Sequence, residues 1–368
     1  MGEPMNVGVV GAGNISGQYL RTLDALGNVR VRAVADRDPG RALAAARQAP
    51  GSRAATLDEL LADDGIDVVL NVTPPEAHAE VALAAIAAGK HVYGEKPLAA
   101  STAGAREVLR AAERARLRVG CAPDTVLGTG IQTARSIVED GVIGVPTSAT
   151  AVMVGFGHER WHPDPEFYYL PGGGPLLDMG PYYLSALVHL LGPVTSVMAA
   201  AGRFRPLRTI ATGARAGTTF ETRVDTHVTG ILQHESGALT TLVMSFDVLA
   251  SRASTIEVHG TAGSLVVPDP NGFDGDCAVR TTADLTDWTV FGPTAGYVGA
   301  GRGYGLAEMA EAIEGARPHR ASAELAYHVL DCSHTLLAAA AERTTLDVTS
   351  RCDVPPLVPL DHRAFGAG

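Results

Sequence analysis

One stretch near the start of the chain constrains the fold more than any other. Residues 7–16 read Val-Gly-Val-Val-Gly-Ala-Gly-Asn-Ile-Ser. An apolar run leads straight into a glycine turn, a helical pattern follows, and the next apolar run, residues 29–35, closes on Asp36. This is the layout of a strand–helix–strand unit that binds a dinucleotide. Gly11 permits the tight turn. Gly13 lets the backbone approach a pyrophosphate, which would rest on the N-terminus of the helix opened by Asn14 and Ile15. Ser16 replaces the third glycine and is still small enough for close helix–strand packing. Asp36 lies about 20 residues past that position, where an acid hydrogen-bonds ribose hydroxyls. A carboxylate there repels a 2′-phosphate, so NAD is expected as cofactor. Arg37, beside it, leaves NADP open.

Composition narrows the class. The chain has 368 residues, 46% of them hydrophobic, enough for two domains with sizeable cores. A formal net charge of −11 with no basic stripe argues against a nucleic-acid surface. No apolar stretch is long enough to span a membrane. The first residues show neither a basic n-region nor an apolar h-region, so a cytoplasmic location is expected. Cys121, Cys277, Cys332 and Cys352 lie far apart without metal-type spacing and are read as reduced thiols with no shared role.

Strands and alanine-rich helices alternate up to about residue 122. Strand-like runs cover residues 5–10, 29–35, 68–72, 91–93 and 118–121. Helical patterns cover 14–26, 41–49, 57–61, 77–88 and 102–116. This alternation predicts a parallel sheet with helices on both faces. Beyond Asp124 the pattern changes. A helix at 131–139, a strand at 147–154, an irregular segment at 155–175 and an apolar helix at 176–191 precede long β-type runs at 194–202, 222–234, 238–248 and 255–259. Glu235-Ser236-Gly237 joins two of these runs as a hairpin. A helical pair at 306–314 and 321–341 follows. The fold expected is α/β: a Rossmann domain over residues 1–122, then an α+β domain over residues 123–368 with a mostly antiparallel open sheet for substrate binding and oligomerisation.

Two clusters carry candidate chemistry. Gly94-Glu95-Lys96-Pro97 follows the strand at 91–93, and loops at the carboxyl ends of such strands border the ligand crevice. Proline holds the backbone of Lys96 extended, and the bond between them is a candidate cis peptide. The second cluster is Gly172-Gly-Gly-Pro-Leu-Leu-Asp178-Met-Gly-Pro-Tyr182-Tyr183. Asp178 and Tyr182 are four apart, so a continuous helix would place a carboxylate and a phenol on one face, suited to binding a hydroxyl and moving its proton. The plainer readings are a first-turn acid at Asp178 and core packing of Tyr182 and Tyr183.

Together these motifs resemble the Gfo/Idh/MocA family, the glucose-fructose oxidoreductase and inositol dehydrogenase group, over nearly the whole chain. The resemblance implies that Lys96 contacts nicotinamide ribose and substrate and takes part in proton transfer, with Asp178 as the helix acid. Many relatives carry a histidine four residues after that acid. Here the position is Tyr182, so either its phenol or Lys96 alone moves the proton. Residues 71–78, Asn-Val-Thr-Pro-Pro-Glu-Ala-His, resemble the family loop beside the cofactor, which adds Thr73, Pro74 and His78 to the cofactor residues along with Glu95. Asp124 and Thr125 occupy the place of a substrate contact and suggest a neutral polyhydroxylated ligand. Similar proteins use the second face of the open sheet to form dimers and tetramers, so a homodimer or homotetramer is expected.

Residues 158–162, His-Glu-Arg-Trp-His, match the zinc-protease string His-Glu-x-x-His. That string needs a helix, whereas glycines precede it here and Pro163 follows. It is read as metal-free: either an active-site loop in which His158 and His162 bind sugar hydroxyls and Trp161 stacks on a sugar face, or an ordered loop with satisfied histidines. The acidic stretch at 269–276 lacks the spacing of a calcium loop and is read as a turn. The activity expected is NAD-dependent hydride transfer from a secondary alcohol of a sugar, glycoside or cyclitol, with Lys96, Asp178 and Tyr182 as the catalytic group. The alternatives are a keto-sugar or imine reductase running the other way, and a non-catalytic cofactor-binding sensor or regulatory subunit.

Overall fold

The computed structural model describes residues 3–362 and Phe365. Its first unit runs through Gln132 and also takes in Pro293–Tyr327 and the segment from Pro355 onward. It opens with β1 (Met5–Val10), α1 (Ser16–Asp24), β2 (Val29–Ala35), α2 (Pro39–Ala46), β3 (Arg53–Ala55) and α3 (Leu57–Leu61). It continues with β4 (Val68–Asn71), α4 (His78–Ala87), β5 (His91–Gly94), α5 (Thr102–Ala115) and β6 (Val119–Cys121). The six strands form a parallel sheet in the order β3-β2-β1-β4-β5-β6, the doubly wound order of a dinucleotide fold. Central strands buried on both faces need near-continuous apolar sequence. Val7, Val9, Val68, Val69 and Leu70 accordingly show no exposed surface. Each such side chain stabilises the fold by about 1.5–3 kcal/mol relative to exposure.

The other unit comprises Thr133–Gly292 and His328–Val354. After α6 (Thr129–Glu139) come β7 (Pro146–Val154), α7 (Pro175–Asp178), α8 (Gly180–Leu191), β8 (Val194–Gly202), β9 (Leu207–Thr209) and β10 (Thr219–Glu221). Then follow β11 (His227–His234), β12 (Leu239–Ser245), β13 (Ile256–Gly260), β14 (Gly263–Val267), β15 (Cys277–Thr281) and β16 (Asp284–Phe291). The last elements are α9 (Tyr304–Glu314), in the first unit, then α10 (Ala323–Glu342) and β17 (Leu346–Asp347). Nine strands form one open sheet in the order β16-β15-β14-β13-β7-β12-β11-β8-β17, antiparallel except where β7 pairs with β12. Alternation along β11 buries Val228, Gly230 and Leu232 and turns Thr229, Ile231 and Gln233 outward. Leu336 of α10 closes over Gly230, where a Cβ would come within 2.8 Å of it. On the outer face Met198 of β8 pairs directly with Ile231, and both are exposed, as is Leu239.

Two expectations change here. The apolar run at 176–191 is two helices. Pro181 has no N–H to donate to Leu177, so the chain breaks at Met179 and restarts as α8. Asp178 and Tyr182 therefore do not share one continuous helical face. The chain also returns to the first unit after Gly292, so a single boundary at residue 122 does not describe it.

Candidate functional site

In the first unit the glycine turn has the form of a phosphate cradle. Gly11 sits at φ 101°, and a Cβ there would lie 2.7 Å from the Val72 carbonyl oxygen, so no other residue fits without strain. Gly13 and Asn14 are exposed, Ile15 is half-buried, and a Cβ on Gly13 would meet open space. Helix α1 has no acidic residue in its first turn and no side-chain cap, which leaves its N-terminus suited to an anion. The hydroxyl of Ser16 turns inward to the Gly13 carbonyl, 2.7 Å away. Asp36 ends β2 and accepts from the N–H of Ala12 at 2.7 Å and of Asp38 at 2.8 Å. A carboxylate has about four acceptor sites, so two remain for ribose hydroxyls. Arg37 beside it is exposed. These residues fit a dinucleotide, with Gly11, Gly13, Asn14, Ile15 and Asp36 as its cradle.

Past β5, Glu95 is almost fully buried. Its Oε1 accepts from the Tyr19 hydroxyl at 2.8 Å and its Oε2 from the Lys96 N–H at 2.9 Å, while Arg302 stands 3.9 Å away. Glu95 thus braces the turn that presents half-buried Lys96, and the Lys96–Pro97 bond is cis. Tyr19 and Arg302 were not singled out from the sequence, because their partner Glu95 is remote from both along the chain. Thr73 is half-buried and donates its hydroxyl to Asn71 at 2.6 Å, and Pro74 is exposed.

Three expected contacts have other roles. His78 is 2% exposed, with Nδ1 2.6 Å from the Pro97 carbonyl oxygen and Nε2 2.8 Å from that of Thr73. It ties two loops together from inside instead of facing a ligand. Asp124 is 0% exposed and accepts from the N–H of Gly303 at 2.7 Å and of Gly305 at 3.2 Å, fixing the start of α9. Burial pushes its carboxyl up to about 6, against the pull of those two N–H groups. Thr125 is likewise fully enclosed. Neither Asp124 nor Thr125 presents a surface to a substrate.

The second unit holds the other cluster. The His-Glu-Arg-Trp-His string is a short 3₁₀ turn at His158–Arg160 and does not form the helix a zinc motif requires. Its members diverge. His158 Nε2 is 3.1 Å from Asp178 Oδ2, while His162 Nδ1 takes the N–H of Asp164 at 3.1 Å. Glu159 is buried and accepts from Arg208 at 2.8 Å and from the Tyr169 hydroxyl. Arg208, whose side chain is fully buried, also pairs with Asp247. Gly157 lies at φ 97°, and a Cβ there would clash with Glu159 and Arg208, so glycine is what lets the loop close over this pair. The His158 ring lies 4.0 Å from Tyr168 and 4.5 Å, edge-on, from Phe246. Trp161 and Phe167 are exposed nearby and form an aromatic rim. Tyr182 is 5% exposed, within a helix whose every residue is buried. Trp161 of this aromatic setting was singled out from the sequence, whereas the Phe-Tyr-Tyr run at 167–169 that supplies the rest was not. Nothing near Arg208 in the sequence announced its part.

Comparison with known proteins agrees with these two units. Residues 5–122 match the family model described as an oxidoreductase family with an NAD-binding Rossmann fold, and residues 131–266 match the GFO/IDH/MocA C-terminal domain. The chain is 31% identical over 273 residues to a dTDP-3,4-didehydro-2,6-dideoxy-alpha-D-glucose 3-reductase of Saccharopolyspora spinosa, covering 73% of this chain and 75% of that protein. It is 30% identical over 266 residues to trans-1,2-dihydrobenzene-1,2-diol dehydrogenase of Bos taurus, covering 72% and 74%. The solved structure of levoglucosan dehydrogenase in complex with NADH has the same fold, with a TM-score of 0.80 at 21% identity over 94% of this chain and 100% of that one. The glycine cradle, the Glu-Lys-Pro turn and these matches together identify the chain as a member of the Gfo/Idh/MocA family, an NAD(P)-dependent dehydrogenase or reductase with an NAD-binding Rossmann domain.

Proposed function

We propose that the protein is an NAD-dependent dehydrogenase of a small polyhydroxylated substrate, a sugar, glycoside or cyclitol, oxidising a secondary alcohol to a ketone. The observation that carries this reading is the Asp178–His158 pair, 3.1 Å apart and bordered by the aromatic side chains of Tyr168, Phe167 and Trp161. Paired polar groups beside aromatic faces suit a ligand whose rings carry hydroxyls on their edges and C–H groups on their faces. The relatives named above act on a dTDP-sugar and on a diol, which supports the same class.

The bound nicotinamide supplies the hydride acceptor. The chain's residues bind, orient and move the proton. Gly11, Gly13 and the α1 N-terminus hold the pyrophosphate, and Asp36 holds the adenosine ribose and disfavours a 2′-phosphate. Lys96, braced by Glu95, accepts or relays the alcohol proton. Asp178 and His158 bind substrate hydroxyls, with Trp161 and His162 at the rim. Met198, Ile231 and Leu239, exposed on the open sheet, suit a homodimer or homotetramer contact. The test is a panel of inositols, free sugars and glycosides, each assayed for reduction of NAD and of NADP. Reduction of NAD by at least one member is expected. Its absence throughout, with stoichiometric NADH binding, would favour a sensor.

A further inference from the structure

Within the second unit, every acid on the segment that carries His158 already has a partner. Between Phe156 and Asp178 the acids are Glu159, Asp164, Glu166 and Asp178. Glu159 accepts from Arg208 at 2.8 Å and from Tyr169. Asp164 pairs with Arg215 at 3.2 Å, and Glu166 pairs with the same guanidinium. Asp178 lies 3.1 Å from His158 Nε2. Two arginines are left over. Arg160 closes the 3₁₀ turn, and Arg205 lies between β8 and β9. Both stand over one ring: the Cζ of Arg205 is 3.6 Å from the Phe156 centroid and that of Arg160 is 5.4 Å from it. Arg160 is exposed, and the Arg205 side chain is 34% exposed. The nearest carboxylate oxygen to Arg205 is Asp247 Oδ1, 4.0 Å from Nε and beyond hydrogen-bond reach. Asp247 is itself engaged by Arg208 and by Thr226 at 2.5 Å. None of the described residues accepts a hydrogen bond from the Arg160 or Arg205 guanidinium.

Stacking on an aromatic face holds a guanidinium plane in place without using its N–H groups. The pair therefore offers about ten N–H donors and two positive charges, on a chain whose net charge is −11. We propose that Arg160 and Arg205 bind a phosphate ester, so that the substrate is a phosphorylated sugar or cyclitol. The proposal takes its sugar from the dehydrogenase reading above and its charge from these two side chains. A phosphate monoester carries about −1.5 to −2 at neutral pH, which matches two guanidinium groups, whereas a carboxylate balances only one. The forked N–H pairs of arginine also meet two phosphate oxygens at once. The expectation of a neutral ligand came from Asp124 and Thr125, which are fully enclosed.

The experiment measures binding by titration calorimetry to the full chain saturated with NADH, so that phosphate groups do not enter the glycine cradle. The probes are D-glucose, D-glucose 1-phosphate, D-glucose 6-phosphate, D-glucuronate and inorganic phosphate. At least one sugar phosphate is expected to bind roughly tenfold or more tighter than D-glucose, and added KCl should shrink that advantage. Arg160→Gln and Arg205→Gln should each remove most of it while leaving the affinity for D-glucose unchanged. Arg223→Gln makes the same change in net charge at an exposed arginine paired with Glu221 and should have no effect. Equal affinity for D-glucose and both its phosphates would overturn the proposal, as would an equal loss in Arg223→Gln, which would mean a general field and no local site. Inorganic phosphate binding as tightly as the sugar phosphates would overturn the assignment to substrate, and D-glucuronate binding as tightly would overturn the assignment to phosphate. The same probes are then assayed with NAD. Oxidation of neutral sugars with KM unchanged in both arginine variants would sink the proposal and leave the dehydrogenase reading intact. No NAD reduction with any probe, with tight sugar phosphate binding still lost in Arg160→Gln and Arg205→Gln, would remove that reading and leave the phosphate site standing.

Discussion

Asp124 gives the sharpest stability prediction, because its buried carboxyl is charged at neutral pH against its surroundings. The side chain is fully enclosed and its folded pKa is raised from 3.8 to about 6, first by burial and, less so, by Glu95. The Gly303 and Gly305 N–H groups and Arg302 limit the rise. Between those two values the folded protein binds more protons at this site than the unfolded chain does. Its contribution is therefore most favourable at low pH and is lost as pH rises through about 6. The difference corresponds to a penalty of about 3 kcal/mol on the ionised form at pH 8. Asp124→Asn keeps an oxygen for the two N–H groups and removes the charge. It should stabilise the α9 end of the first unit at pH 8 by about 1–3 kcal/mol, keep roughly half of that gain at pH 5 and have little effect near pH 3, below the unfolded value. Asp124→Ala leaves two buried donors without their acceptor and should fall below Asp124→Asn by about 1–3 kcal/mol at either pH. Hydrogen exchange of the Gly303 and Gly305 amides reads this locally, and urea unfolding reads it globally. If Asp124→Asn loses protection at pH 8 as much as Asp124→Ala does, the carboxylate is a net stabilising charge and the argument from burial is wrong.

Three further predictions follow from other parts of the molecule. Because Asp36 ends β2 as a carboxylate, kcat/KM should favour NAD over NADP by at least about tenfold, equal to some 1.4 kcal/mol, and the reverse preference would mean that Arg37 governs. Because His158 and Glu159 are engaged by Asp178 and Arg208, dialysed enzyme should hold no stoichiometric zinc and keep its activity in chelator. Exposed Met198, Ile231 and Leu239 on the open sheet predict a dimer or tetramer by light scattering at micromolar concentration, with Ile231→Lys shifting it toward monomer.

How far the sequence could be read depended on the range of the interaction. Strands β1 and β2 matched their expected limits because buried parallel strands are uninterrupted apolar runs. Strand β3 escaped notice because Arg53–Ala55 is three residues with no apolar run. Strand β16 escaped because its residues are nearly all exposed and no burial period marks it. The helix break at Met179 was legible in Pro181 yet was overridden by the apolar pattern on either side. Asp124 looked like a ligand contact because its true partner, Gly303, lies 179 residues away. The His158–Asp178 pair joins two motifs that were each visible alone, with the irregular segment between them hiding their meeting.

The central claim is that Lys96 acts on the alcohol while the glycine cradle and Asp36 hold the cofactor independently. The most direct measurement is Lys96→Met, with NADH affinity by fluorescence titration and NAD reduction by the best polyol of the panel measured on the same preparation. The account predicts a kcat lower by roughly a hundredfold or more with cofactor affinity nearly preserved. Near-normal turnover in Lys96→Met would contradict it.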